Sequence, residues 1–292
     1  MYLVKMHFHS PVIVGGEQIG GYHKKLMNYI PSDRLFAEIY TSYIEAWGEV
    51  FDANKLILSS AFPFIKDKLY IPISRLAGGI KGFIQKEEAP RMIEKALKEG
   101  NVEKSYVEKL HEDLNRNFVS VVRPRVRIGR MNNEPELFFN EELHISRESG
   151  FYFFIDHPEI GKILTSLEYR AISGWGGRRR SGYGKFSIEY EKYSIDREKS
   201  EYFILLSRWI PSKSDSTGKG LFLLSYSLGL DSGWNISDSK KKRRRVFVSE
   251  GAIFSRKRTG LAVAANIQGT IIRENSILRY YKPFLLPLEV KE

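Results

Sequence analysis

The chain has 292 residues, 42% of them hydrophobic and 13% aromatic, enough apolar material for ordinary cores and too much for a chain disordered throughout. Its formal charge of +11 points to a polyanionic partner, nucleic acid first, because clustered Lys and Arg gain free energy by releasing counterions condensed on phosphates. The absence of cysteine excludes disulfides, cysteine zinc sites, iron–sulfur clusters and cysteine nucleophiles, and no apolar run reaches the roughly 18 residues of a membrane span. A cytoplasmic protein without signal peptide or membrane anchor is expected. Only three glutamines stand beside abundant Lys, Glu, Arg and Ile, a thermophile-like bias.

The length accommodates two domains. Tyr2 to Phe8 alternates and predicts a first strand, followed by a glycine-rich loop from Ser10 to Gly21. After Pro31, Ser32 reads as an N-cap and Asp33 as a first-turn acid. Leu35, Phe36, Ile39, Tyr40, Tyr43, Ile44 and Trp47 then form one apolar stripe at helical spacing. Strands are expected at Leu56 to Ser60 and Lys68 to Ile73. A charged helical pair from about Pro90 to Leu114, broken at Gly100-Asn101, looks like an insertion. Val119 to Ile128, Glu136 to Phe139 and Gly150 to Ile155 give further strand signals, Asp156 to Arg170 reads as a helix, and Lys185 to Tyr193 alternates as a strand.

The order strand, helix, strands, helix, loop, strand is that of a ferredoxin-like βαββαβ unit. Beyond a boundary near Ser194, strands are expected at Glu201 to Ser207, Gly220 to Leu228, Arg245 to Ser249, Leu261 to Ala265 and Ile277 to Tyr281. The expectation is an α+β protein of two ferredoxin-like domains, residues 1–193 and 194–292, the second degenerate and strand-rich.

The basic excess is concentrated. Lys240 to Arg245 holds six of the eleven net charges, and Arg178, Arg179, Arg180 and Lys185 account for four more. Two positive surfaces on an otherwise balanced chain are the pattern of a polyanion footprint. The run Lys240 to Arg245 reads equally as a solvated loop or as a phosphate contact. Arg256, followed by Lys257 and Arg258, is a candidate for the same partner, against a plain solvated hairpin. Arg123, Arg125 and Arg127 project from one face of an extended segment, with Arg130 just beyond; the alternative is an edge strand guarded by charge.

The segment Gly174-Trp175-Gly176-Gly177-Arg178-Arg179-Arg180-Ser181-Gly182-Tyr183-Gly184-Lys185 places five glycines in the eleven positions to Gly184. Glycine lets a phosphate approach the main-chain N–H groups and permits positive φ. Arginine adds bidentate phosphate contacts, and Trp175 or Tyr183 could stack on a splayed base, a combination suited to single-stranded RNA. Other phosphate loops fail on spacing: Tyr183 stands where a Walker lysine belongs, and Arg179 takes the place of the third Rossmann glycine.

Such a loop between the last helix and last strand of a ferredoxin-like domain resembles the RAMP superfamily of CRISPR proteins. Within it, the chain is similar to the family of fourth Csm subunits. Ile30-Pro31-Ser32-Asp33-Arg34-Leu35-Phe36, Val122-Arg123-Pro124-Arg125-Val126 and Ser249-Glu250-Gly251-Ala252 carry the likeness from the first helix to near the end. The resemblance implies a non-catalytic subunit of a type III-A effector that binds the repeat-derived 5′ tag of the CRISPR RNA (crRNA). It implies contact with the large polymerase-like subunit, the adjacent backbone RAMP subunit and target RNA near the tag. It also adds Ser32 and Arg34 to the RNA-binding residues, and makes the insertion between about Gln85 and Arg130 a thumb that kinks the guide. Trp175 and the third consecutive arginine depart from the family's glycine pattern.

Two other functions compete. Some RAMP proteins are metal-independent endoribonucleases that use a histidine as general acid or base; here that would be His23. Against this, more than a third of the chain follows the glycine-rich loop. His7 and His9 would share one strand face and read, like His23, more simply as structural. A general RNA-binding accessory protein is the remaining alternative. No acidic spacing suggests a metal site, no order of residues suggests a hydrolase triad, and no cofactor is expected.

Overall fold

The computed structural model of the chain describes residues 1–14, 17–19, 23–25, 28–73, 82–99, 104–128, 135–196, 200–212, 215, 221–225, 228–231, 245–256, 268–274 and 277–288. Strand β1 (Tyr2–Phe8) buries Leu3, Val4, Met6 and Phe8, and a short hairpin of β2 (Glu17–Ile19) and β3 (His23–Lys25) follows. Helix α1 (Ser32–Trp47) buries Leu35, Phe36, Ile39 and Tyr43 of the expected stripe, leaves Ile44 and Trp47 at its end exposed, and ends at Gly48, whose φ of 70° lets its N–H donate to Ile44 O at 2.8 Å.

The helix start differs from the sequence expectation. Pro31 holds the cap position, and Ser32 lies within the helix, fully buried. The Ser32 N–H donates to Ser60 Oγ at 2.8 Å while its hydroxyl accepts the Arg208 N–H at 3.0 Å. A hydroxyl that satisfies a buried backbone group elsewhere is not available to cap its own helix.

Next come β4 (Ile57–Leu58), β5 (Phe62–Ile65), β6 (Lys68–Ile73) and β7 (Gly82–Gln85). The inserted helices α2 (Ala89–Glu99) and α3 (Lys104–Asn117) lead into two strands of 11 residues each, β8 (Phe118–Ile128) and β9 (Pro135–Ile145). Then β10 (Ser149–Asp156), α4 (Ile160–Ser173) and β11 (Phe186–Lys192) complete the first half. Its sheet runs β11-β1-β10-β5-β6-β7, with neighbouring strands antiparallel and β4 also on β10. Helices α1 and α4 pack against each other, joined by Ser42 Oγ donating to Ser166 O at 2.5 Å.

After residue 193 the described residues contain strands and no helix: β12 (Tyr202–Leu205), β13 (Leu221–Ser225), β14 (Leu228–Asp231), β15 (Arg245–Val248), β16 (Ile253–Arg256), β17 (Thr270–Glu274), β18 (Ile277–Tyr281) and β19 (Leu285–Leu288). Four form a sheet in the order β13-β16-β12-β19, and β14-β15 and β17-β18 are separate pairs. The expected strand at Leu261 to Ala265 lies outside the described residues.

The two halves bury one another. A single apolar cluster runs from Val4, Phe36 and Phe154 to Ile204, Tyr280 and Phe284. Phe36 stacks on Tyr280 with ring centroids 5.4 Å apart, and Phe154 on Phe284 at 5.3 Å. Through this core runs a polar strut. Arg208 Nη1 lies 3.2 Å from Asp33 Oδ1 and its Nε 3.8 Å from Glu250 Oε1, while Ser60 Oγ donates to Glu250 Oε1 at 2.7 Å. Burial opposes the Arg208 charge, yet Asp33 and Glu250 hold its pKa above the ordinary value; burial raises that of Glu250 despite Arg208 and Ser60. Each half thus supplies charge that the other needs to compensate.

Candidate nucleic-acid interface

The glycine-rich loop is a closed, ordered turn. Gly174 N–H donates to Arg170 O at 2.8 Å and ends α4; Trp175 N–H donates to Gly184 O at 2.8 Å and closes the loop's neck. Gly184 N–H donates to Pro11 O at 2.9 Å, so the segment after β1 supports it. At Gly184 (φ +70°) a Cβ would meet Trp175 O at 2.0 Å, and at Gly176 (φ +76°) it would meet Ile13 O at 2.6 Å. Here glycine is required for close main-chain packing as well as for positive φ. Arg178 adopts left-handed backbone, φ 61°, at the loop's tip.

Both aromatic residues of the loop point inward, contrary to the stacking role expected of them. Trp175 is 3% exposed and packs edge-on against Phe186, while Tyr183 is 8% exposed. Their rings stabilise the loop's own closure, so no ring face is left for a base. Tyr183 Oη donates to Glu142 Oε2 at 2.6 Å, and Glu142 is wholly buried. His144 Nε2 lies 3.0 Å and Arg123 Nε 2.5 Å from Glu142 Oε1, with Arg125 Nη2 at 3.9 Å from Oε2. Arg125 also donates to Tyr183 Oη and sits 5.6 Å over its ring. Burial raises the Glu142 carboxyl, but hydrogen bonds from Tyr183 and His144 and the Arg123 charge outweigh it and hold the group below the usual range.

Glu142 therefore joins the loop to the β8–β9 ribbon. In that ribbon Arg123 pairs with Asn140, Arg125 with Phe138 and Arg127 with Glu136, which sets these residues on one face as the spacing predicts. The Arg178 guanidinium lies 5.2 Å over the Phe138 ring, and with the Asn140 amide turned to accept, its oxygen is 3.0 Å from Arg178 Nε and Nη2. Arg123 stays half exposed, and Arg180, Ser181, Gly182 and Lys185 are exposed along the loop. Arg179 is turned back: its side chain passes 3.5 Å from the Cβ position of Gly174, and its charge on Glu38 offsets part of the burial that leaves that carboxyl raised to about 6.

The other face of the ribbon carries Val122, Val126, Ile128, Leu137 and Phe139, all exposed. The alternation of apolar residues with the arginines in the sequence encodes this face.

The remaining candidates lie elsewhere. Ser32 is consumed in the junction between the halves and is not an accessible RNA contact. Arg34 is half-buried in the first turn of α1. Arg256 belongs to β16, its guanidinium 5.4 Å over Phe203, in the second half's sheet. Arg130, the side chains of Arg127 and His23, and the run 240–244 fall outside the described residues. Among the described residues no group of His, Asp or Glu could hold a metal ion, and no helix is long and apolar enough to cross a membrane.

The chain is thus a strand-rich mixed α/β protein with a closed arginine loop beside a basic ribbon, and comparison with known proteins finds its likeness among type III CRISPR subunits. Residues 198–288 match the family described as CRISPR Csm4 C-terminal domain. The chain is 26% identical over 211 residues, 67% of it and 69% of the relative, to "CRISPR system Cms protein Csm4" of Thermococcus onnurineus (strain NA1). It is 22% identical over 191 residues to the protein of the same description from Streptococcus thermophilus, covering 62% of each chain, a little under two thirds of that relative's length. Among solved structures it resembles a chain of the "Csm3-Csm4 subcomplex in the type III-A CRISPR-Cas interference complex", at 19% identity and TM-score 0.64, over 99% of this chain and 100% of that one. A chain of a "Csm1-Csm4 cassette in complex with cA4" matches over 100% and 98% at 19% identity and TM-score 0.53. The segment 198–288 thus matches the Csm4 C-terminal domain family, and the chain as a whole resembles Csm4 subunits of type III CRISPR complexes.

Proposed function

We propose that the chain is a non-catalytic, crRNA-binding subunit of a type III-A Csm effector in the cytoplasm, holding the 5′ repeat-derived tag and capping the protein backbone. The observation that carries this is the joint between Gly174–Lys185 and the arginine face of the β8–β9 ribbon through Glu142. That joint sets Arg123, Arg178 and Arg180 around one surface on rigid elements, where phosphate contacts lose little ordering entropy. The sheet order β11-β1-β10-β5 with α1 and α4 supports a ferredoxin-like first domain, residues 1–193, and 194–292 is a strand-rich second one. The neighbours' Csm1 and Csm3 assemblies support a large polymerase-like subunit and a backbone RAMP subunit as partners. Target RNA near the tag is part of the same proposal.

The test is incubation of the purified chain with labelled repeat-derived RNA. Retention of the RNA uncut, weakened by Arg178→Ala with Arg180→Ala, is the expected result. Specific cleavage abolished by His23→Ala would transfer the assignment to a repeat-RNA endoribonuclease.

A further inference from the structure

Beside the glycine-rich loop, a cleft of about 630 Å³ opens between β1, β11 and the β9–β10 connection, lined in part by His7, His9, His144, Arg147, Ser187 and Glu189. The β1–β11 register puts Lys5 opposite Glu189 and His7 opposite Ser187, so His7, Ser187 and Glu189 share one sheet face. His9 Nε2 and Ser187 Oγ are 2.9 Å apart. His7 Nε2 is 3.4 Å from Glu189 Oε2 and, though buried, makes no hydrogen bond among the described residues. His144 is oriented by Glu142, the carboxylate that also anchors Tyr183 of the loop.

The cleft and the loop share a wall. His9 N–H donates to Lys185 O at 2.8 Å, Lys185 N–H donates to Ser10 Oγ at 2.8 Å, and Gly184 N–H donates to Pro11 O at 2.9 Å. A strand of RNA leaving the loop at Lys185 therefore meets the cleft next. Imidazoles are flat, half-polar rings that stack on unpaired bases and bond their edges, guanidinium groups take phosphate, and a carboxylate accepts from a base amino group. These three chemistries surround this one cleft, and the histidines form no metal set among the described residues.

We propose that this cleft holds one nucleotide of single-stranded RNA, next to the stretch gripped by Gly174–Lys185, with Arg147 and His9 on its phosphate, the His7 ring on its base and Glu189 on a base amino group. The proposal rests on the RNA-binding reading above and adds a position to it.

The experiment titrates the full chain into fluorescein-labelled single-stranded repeat-derived RNA at several salt concentrations, comparing wild type, His9→Gln/Arg147→Gln and Arg178→Gln/Arg180→Gln. His9 and Arg147 are exposed, so melting temperature is expected to be unchanged. The cleft variant should bind about tenfold more weakly, the loss of one charge-assisted contact, with the slope of log K against log salt reduced by about 0.7. Unchanged affinity and slope in the cleft variant, while the loop variant loses binding, would overturn the cleft and leave the RNA-binding reading standing. No binding by wild type would overturn both. Cutting of the RNA by wild type, lost in His9→Gln, would overturn it too, replacing a holding cleft with a catalytic one.

Discussion

Tyr183 of the glycine-rich loop donates its hydroxyl to the buried carboxylate of Glu142, on the far strand of the arginine ribbon, at 2.6 Å. The contact spans 41 residues of sequence and fixes the two basic segments to each other. Tyr183→Phe removes one donor from a buried anion that keeps its other partners. A destabilisation of about 1–3 kcal/mol follows, measurable by denaturant titration. RNA affinity should fall along with it, because the loop loses its register on the ribbon.

The same carboxylate sets an acid limit. Its pKa is lower in the folded chain, so its contribution to stability is present above the unfolded carboxylate range, near 4.3, and is lost as pH falls through the lowered folded value. Glu38 has the opposite sign. Its folded pKa is raised to about 6, so its effect on stability is most favourable below the unfolded value and is lost as pH rises through 6. Glu38→Gln should therefore gain on wild type between pH 5 and 7 and show no further change above. An E38Q-to-wild-type difference in melting temperature that is flat across that window would contradict the assignment.

Gly182 and Gly184 have similar φ, 82° and 70°, but different surroundings. A Cβ at Gly182 meets nothing within 4 Å, whereas at Gly184 it would meet Trp175 O at 2.0 Å. Gly182→Ala should cost only the left-handed backbone penalty of about 1–2 kcal/mol. Gly184→Ala must in addition break the Trp175–Gly184 closure, and its melting temperature should fall clearly below that of G182A.

Arg208 is 6% exposed between Asp33 and Glu250. Removing it strands two carboxylates in the core, and Arg208→Ala is expected to cost about 3–5 kcal/mol. Because the strut and the apolar cluster belong to both halves, calorimetry should show one transition, lowered as a whole. Two separable transitions, with only the second one shifted, would mean that the halves fold independently.

Among the loop arginines, Arg180 is exposed and Arg179 is directed at Glu38. Arg180→Ala should reduce the salt slope of RNA binding by about 0.7, and Arg179→Ala should leave it nearly unchanged while moving the Glu38 titration.

Local signals were legible in the sequence wherever periodicity and side-chain chemistry agreed. The α1 stripe from Leu35 to Tyr43 and the alternating arginines at 123 and 125 fall where spacing puts them. The expected helical pair is present as α2, ending at Glu99, and α3, beginning at Lys104. Decisions made by distant partners were not legible. Ser32 looks like a cap until Ser60 and Arg208 claim it, from 28 and 176 residues away. Trp175 and Tyr183 look like stacking platforms because a loop of glycines and arginines gives no sign of an interior of its own. Strand β5 does not show in the sequence because Phe62-Pro63-Phe64-Ile65 is nearly all buried and so has no alternation. Strand β19 is silent for a similar reason: three of its four residues are buried.

The stacking of Phe154 on Phe284 also has a meaning in time. Their planes are 6° apart, yet the ribosome makes the second ring about 130 residues after the first. At roughly 5–20 residues per second, one face of the β10 aromatic row waits on the order of ten seconds for its cover. Throughout that interval the nascent chain presents sticky aromatic surface, so chaperone dependence during translation should be set by the last strands of the protein, not by its length.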